Sequence, residues 1–330
     1  MERELALEIV RVTEMGALSS ACFIGRGDKN AADQAATTAI RSMFDSVSID
    51  GTVVIGEGEM DDAPMLYIGE KVGNKQGPSV DVAVDPLEGT EVVARGLENA
   101  QSVIAIADKG SLLHAPDIYM QKLACGPQLA GKLSIDDPVD VTLQKVSQIT
   151  GKAISELRIM VLDRERHREL IDSLRQAGVR VKLLDHGDIA GAIATALPDN
   201  EVDLYMGSGG APEGVLAAAA LKCLGGEIQG RLLPRGPFEL QRCHMMGLED
   251  PLRVLYMEDM VGNGDVLFAA TGVTTGEFLT GVRFIGDDRA ETHSVIMRAQ
   301  SRTIRYIRSI HFLPSKQIDM DAGFRHAEAM

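Results

Sequence analysis

The chain has 330 residues, 45% hydrophobic and 25% charged, a composition far from that of disordered sequences and long enough to bury a core without disulfide staples. Its 33 lysines and arginines against 48 aspartates and glutamates leave a formal charge of −15, so the average field repels nucleic acid and anionic membrane, and a phosphate ligand needs local cations. No stretch approaches the roughly 20 apolar residues that span a bilayer, and Met1 opens into a charged, helix-like segment in place of a signal peptide, so a cytoplasmic protein with no membrane or nucleic-acid partner is expected.

Leu5, Ile9, Val12 and Leu18 recur at helical period from Glu2 to about Phe23, and a second helical pattern runs from Asn30 through Ala39, Ile40, Met43 and Phe44. Short β-branched runs ended by glycine or acid follow, at Thr52 to Ile55, Val80 to Val84 and Ser102 to Ala107, and read as buried strands. The second half alternates: a strand at Ile159 to Leu162, a polar helix from Arg166 to Gln176 and a strand at Val179 to Leu184. An alanine-rich helix at Ile189 to Ala196, a strand at Val202 to Met206, an apolar helix at Val215 to Leu224 and a late strand at Val266 to Thr271 complete the series. That rhythm predicts an α/β fold. The chain reads as a single unit over 1–330, with possible sub-lobes at 1–135 and 152–330, because Lys132 to Gly151 is polar and carries Asp136-Asp137-Pro138. Cys22, Cys125, Cys223 and Cys243 lack zinc-ligand or C-x-x-C spacing and read as reduced, buried thiols.

The sharpest chemical feature is Asp85-Pro86-Leu87-Glu88-Gly89-Thr90, directly after the strand Val80 to Val84. Asp85 leaves the carboxyl end of a strand, where α/β sheets hold ligands. Glu88 adds a second hard oxygen donor, Gly89 allows close backbone approach, and N–H groups at Gly89 and Thr90 would face an anion if a helix starts there. Carboxylates with phosphate oxygens suit magnesium or manganese. The same residues could equally form an acidic surface turn with a helix cap.

A second acidic turn, Gly56-Glu57-Gly58-Glu59-Met60-Asp61-Asp62, follows the strand ending at Ile55 in the same way. Four acids in six residues repel one another, and a bound cation or a general-base role would explain them, as would a solvated loop. Gly207-Ser208-Gly209-Gly210-Ala211-Pro212-Glu213-Gly214 is a glycine-rich strand-to-helix turn able to cradle phosphate, although it lacks the lysine of a P-loop. Cations gather at Arg26-Gly27-Asp28-Lys29 and at Arg164-Glu165-Arg166-His167, where two arginines at a strand end can grip a phosphate or simply pair with Glu169. Asp33, one turn into the second helix, would be unremarkable alone. No Gly-x-Ser-x-Gly elbow or H-E-x-x-H pair is present, and the run Arg298, Arg302, Arg305, Arg308 fits a helix or strand face at a subunit contact better than a nucleic-acid surface.

Taken together, these segments resemble the class II fructose-1,6-bisphosphatases, within the lithium-sensitive phosphatase superfamily that includes inositol monophosphatases. The likeness rests on Gly25 to Asn30 with Ala32-Asp33, Val54 to Glu59, Ala63 to Glu70, Asp85 to Thr90, Gly209 to Gly214 and Ser301 to Arg305. It implies a layered α/β/α/β sandwich of the sugar phosphatase type. It also implies Mn²⁺- or Mg²⁺-dependent hydrolysis of the 1-phosphate of fructose 1,6-bisphosphate to fructose 6-phosphate, in gluconeogenesis and glycerol metabolism, by a homo-oligomer, dimer or tetramer. By position it makes Asp33, Glu57, Asp85, Glu88 and Glu213 the metal ligands and Lys29, Glu57, Asp61 and Thr90 catalytically important. Glu88, Gly89 and Thr90 would hold the reacting phosphate. Tyr119, Arg164, Glu165, Arg166, His186, Gly187, Asp188 and Gly210 would hold the sugar and far phosphate. The sequence departs from the family at His186, where relatives often carry an acid, and in a shorter segment from Pro234 to Cys243. A bifunctional fructose-1,6/sedoheptulose-1,7-bisphosphatase, an inositol-monophosphatase-like enzyme and a non-catalytic phosphosugar or nucleotide sensor are the alternatives.

Overall fold

Two helices open the chain, α1 (Leu5–Ala21) and α2 (Lys29–Phe44), and both bury the face their apolar spacing marks. Asp28 caps α2 by accepting the Ala31 N–H at 2.9 Å. The computed structural model describes residues 4–58 and 65–316. Strands β1 (Asp50–Ile55), β2 (Lys71–Val72) and β3 (Ser79–Glu88), the short helix α3 (Thr90–Arg95) and β4 (Gln101–Asp108) follow.

The chain then builds a second unit, Ser111–Gly264. It contains β5 (Tyr119–Cys125), α4 (Val139–Thr150), β6 (Arg158–Leu162), α5 (Arg168–Gln176), β7 (Arg180–Leu184), α6 (Asp188–Ala194) and β8 (Leu204–Gly210). The long apolar α7 (Ala211–Leu224), β9 (Glu227–Leu232), α8 (Pro237–Met245) and α9 (Met257–Met260) complete it. The remaining strands β10 (Val266–Gly272), β11 (Arg283–Ile285), β12 (Arg289–Arg298) and β13 (Thr303–Phe312) return to the first unit, Met1–Gly110 with Asp265–Met330.

In the first unit an eight-stranded sheet runs β11-β12-β10-β4-β3-β1-β2, with β13 on the other edge of β12. β1 and β3 are parallel and the other pairs antiparallel. Ile9, Ile40 and Phe44 from the helices close over Val53, Val82, Val84, Ile104 and Ile106. In the second unit a five-stranded mixed sheet runs β7-β6-β8-β5-β9, and its core joins Leu123, Ile159, Val161 and Leu204 to Ile171 and Leu174 of α5. The fold is mixed α/β, as the alternation of elements predicts.

The lobe boundary placed at Lys132 to Gly151 is corrected: that stretch lies within the second unit, and its later half is α4, whose Leu143 and Val146 are buried in that unit's core. Polar composition there marks one exposed helix face, not a linker. All four cysteines are buried and outside any disulfide, and burial pushes the Cys125 thiol up to about 12, so it stays protonated and inert. Among the described residues no helix is long and apolar enough to cross a membrane.

Candidate active site

Asp33 projects from the first turns of α2 and Glu57 follows the end of β1, and the two carboxyls hydrogen-bond to each other. Burial raises both, and for Glu57 the neighbouring Asp33 charge adds to it, pushing that carboxyl up to about 8. Two carboxyls in contact cannot both be ionised in a partly dry setting, so near neutral pH they share a proton unless a cation takes its place.

On β3 the pairing with β4 slips between Asp85 and Glu88: Asp85 faces Val103 and Glu88 faces Gln101, which leaves one extra residue on β3. Pro86 lies inside that bulge, where its missing N–H costs no ladder bond. The bulge sets Asp85 and Glu88 on one bent strand end. Glu88 is buried and accepts a hydrogen bond from the Gln101 amide at 2.5 Å, and Gly89, at φ 96°, makes the left-handed turn that starts α3 at Thr90. With six residues α3 has little dipole, so an anion at Gly89 and Thr90 would rely on local N–H groups. The Lys29 ammonium stands 4.0 Å from Glu91, with both side chains at least half exposed. Asp61 lies outside the described residues.

In the second unit the strand end of β8 packs against buried acids. Lys122, fully buried on β5, forms an ion pair with Asp188, whose other oxygen accepts the Tyr205 hydroxyl at 2.6 Å. A Cβ at Gly209 would overlap the Asp188 carboxylate and one at Gly210 the Glu213 carboxylate, so glycine at both positions gives these acids their room. Burial raises the Glu213 carboxyl, while the Lys122 charge opposes that rise. Gly187, at φ 99°, turns the chain into α6 at Asp188.

Around β6 the Arg166 guanidinium donates to the Ser208 carbonyl at 2.8 Å and to its hydroxyl at 3.1 Å. Buried His167 accepts the Ser208 N–H on Nε2 at 2.8 Å, which leaves Nδ1–H to donate to the Leu162 carbonyl at 2.8 Å. Burial lowers its pKa and keeps it neutral. Arg164 donates to the Asp185 carbonyl at 2.6 Å and lies 3.5 Å from His186 Nδ1. Glu165 points elsewhere: its side chain is 83% exposed and paired with Arg168. The Tyr119 ring carries Arg166 at 4.6 Å and also Arg235 at 4.4 Å from its centroid.

The structure thus brings Asp33 to Glu57, seats Asp85 and Glu88 on one strand end, and groups Tyr119, Arg166, Asp188, Gly210 and Glu213 around β5 and β8. Among the described residues no three His, Cys, Asp or Glu side chains gather closely enough to hold a metal by themselves. Sequence reasoning missed Lys122, Tyr205, Gln101 and Arg235. For Lys122 a signal existed, a lysine directly before the apolar run Leu123 to Cys125; Arg235 shows none before the fold sets it on Tyr119.

Residues 3–311 match the family model described as bacterial fructose-1,6-bisphosphatase, glpX-encoded. This chain belongs to that family. Fructose-1,6-bisphosphatase 1 class 2 of Escherichia coli K12 is 48% identical over 97% of this chain and 98% of its own, and the class 2 enzyme of Haemophilus influenzae 45% identical over 95% and 97%. A solved structure described as an extragenic suppressor from Pyrococcus furiosus aligns with 62% of this chain and 73% of its own at 16% identity and a TM-score of 0.32, too slight a likeness to argue from. Divalent-metal dependence accompanies the glpX-type fructose-1,6-bisphosphatase family. The donors offered here fit it: all are carboxylate oxygens, and the Asp33–Glu57 contact is one that a hard cation relieves.

Proposed function

We propose that this glpX-type fructose-1,6-bisphosphatase hydrolyses the 1-phosphate of fructose 1,6-bisphosphate, giving fructose 6-phosphate and phosphate for gluconeogenesis. The observation that carries the reading is the half-buried Asp33–Glu57 contact, an arrangement that favours a divalent cation over two bare carboxylates. Asp33, Glu57, Asp85 and Glu88 would hold Mn²⁺ or Mg²⁺, and the ligand set implied by the family resemblance also includes Glu213. When bound, such an ion neutralises charge on the phosphate oxygens and makes water acidic enough to attack near neutral pH.

The chain's own residues supply the rest. N–H groups at Gly89 and Thr90, with Glu88, hold the transferring phosphoryl group, and Lys29 supplies positive charge beside it. The Thr90 hydroxyl orients the attacking water, and the Glu57 or Asp61 carboxylate accepts its proton. The water attacks in line, and no covalent phospho-enzyme is required. Tyr119, Arg164, Arg166, His186, Gly187, Asp188 and Gly210 hold the sugar and the far phosphate, with Glu165 contributing through its backbone. The arginine pair favours a bisphosphate over a monophosphate, which sets the proposed activity apart from that of inositol monophosphatases in the lithium-sensitive superfamily to which we assign the fold. Sedoheptulose 1,7-bisphosphate would offer the same two phosphates. The enzyme is proposed to act in the cytoplasm as a homo-oligomer, dimer or tetramer.

Phosphate release from fructose 1,6-bisphosphate, sedoheptulose 1,7-bisphosphate, fructose 6-phosphate and inositol 1-phosphate, with and without Mn²⁺, tests this directly. Metal-dependent release from the bisphosphates alone is expected. Binding without release from any of them would replace the enzyme by a phosphosugar sensor.

A further inference from the structure

Tyr119 opens β5, and two guanidiniums lie over its ring, Arg166 at 4.6 Å and Arg235 at 4.4 Å. Like charges held on one ring repel, and each cation gains only modestly from the π face. Arg11, Arg168, Arg253 and Arg308 each sit against a carboxylate. Arg166 and Arg235 make no ion pair among the described residues, in a chain carrying 48 acids. Arg166 is aimed by Ser208. Arg235 is exposed, and its backbone N–H donates to the Glu239 carboxylate at 2.5 Å, which pins the turn before α8. Two guanidiniums over one ring, with no carboxylate paired to either among the described residues, form a receptor for a dianion, which can take a fork from each.

We propose that Arg235 is a specificity-determining residue that, with Arg166, grips the distal phosphate of the sugar bisphosphate, Tyr119 setting the planes of both guanidiniums. This rests on the reading above that Arg166 and Tyr119 face the far phosphate. Arg235 lies on the segment before α8, not with Arg164 and Arg166 after β6, so it closes on the phosphate from a different element. Its contribution is to binding, away from the reacting phosphate, so it should appear in KM and not in kcat.

The test compares Arg235→Gln, Arg235→Lys and Arg166→Gln in the full-length, metal-loaded enzyme. Arg235→Gln is expected to raise KM for fructose 1,6-bisphosphate and the inhibition constant of fructose 6-phosphate by about tenfold each. Turnover should stay within about twofold and the melting temperature should not move, while Arg235→Lys regains part of the loss because the charge remains without the planar fork. If Arg166→Gln raises both constants and Arg235→Gln neither, the assignment of Arg235 is overturned and the distal-phosphate reading stands. If neither variant raises them, that reading falls as well. A fall in turnover with KM unchanged would also overturn the proposal, since it would mark a structural role for the stacked ring.

Discussion

The two units treat acids shielded from water in opposite ways. In the second, Asp188 is matched inside the protein: Lys122 and the Tyr205 hydroxyl take up its oxygens, and the site is complete as folded. In the first, Asp33 and Glu57 face each other, and burial, with the Asp33 charge beside it, holds Glu57 up at about 8. An internal ion pair orients a residue permanently, whereas an unmatched acidic pair leaves room for an exchangeable ion. The ion pair of the second unit matches the sugar-holding role proposed for it, and the acidic pair of the first matches the proposed metal site.

The comparison breaks most visibly at the acids of the first unit. Asp85→Asn should lower phosphate release by more than about 100-fold, beyond what outer-shell changes around a metal usually cost. Circular dichroism should stay close to wild type because the bulge at Pro86 is a backbone feature. Turnover near wild type would remove Asp85 from the metal reading. In the second unit the same logic predicts a stability effect: Lys122→Met leaves Asp188 buried and uncompensated and should cost about 3–5 kcal/mol in denaturant unfolding. Adding Asp188→Asn should return part of that loss, because the stranded charge is then gone.

A pH experiment sharpens the contrast. Glu57 has a folded pKa raised above its ordinary value of 4.5 to about 8. A raised carboxyl favours the protonated folded state, so the metal-free protein should lose stability as pH rises between those two values. A divalent cation replaces the shared proton and competes with it less as pH rises. Mn²⁺ should therefore raise the melting temperature more at about pH 8.5 than at about pH 6. An equal gain at both values would mean that Asp33 and Glu57 do not take part in binding the ion.

Apolar runs carried most of the legible fold. The strands expected at Thr52 to Ile55, Val80 to Val84, Ser102 to Ala107 and Ile159 to Leu162 all form, because each is buried on both faces and reads as an unbroken hydrophobic segment. β12 and β13 went unread because β13 is an edge strand with Arg305, Tyr306, Arg308, Ile310 and Phe312 outward, and its partner mixes polar residues into the buried side. The turns after β1 and β3 were visible as clustered acids and glycine. The ion pair between Lys122 and Asp188 and the approach of Arg235 to Tyr119 were not, because each joins residues far apart in sequence that only the strand order of the second sheet brings together.

The smallest expected effect concerns Glu165, which the family resemblance places in the substrate site beside Arg164 and Arg166. Its carboxylate points to Arg168 on the next turn, 2.6 Å away, and both side chains are mostly in water, so the pair is screened and gains little over hydration. The Arg168 guanidinium nonetheless holds the Glu165 carboxyl below its ordinary range, showing where that side chain is directed. Glu165→Ala should therefore leave the melting temperature unchanged and KM for the bisphosphate within about twofold, since a backbone contact survives the truncation. A clear rise in KM would instead mean that the Glu165 side chain leaves Arg168 to reach the sugar, and the second unit would then rearrange on binding substrate in place of being complete beforehand.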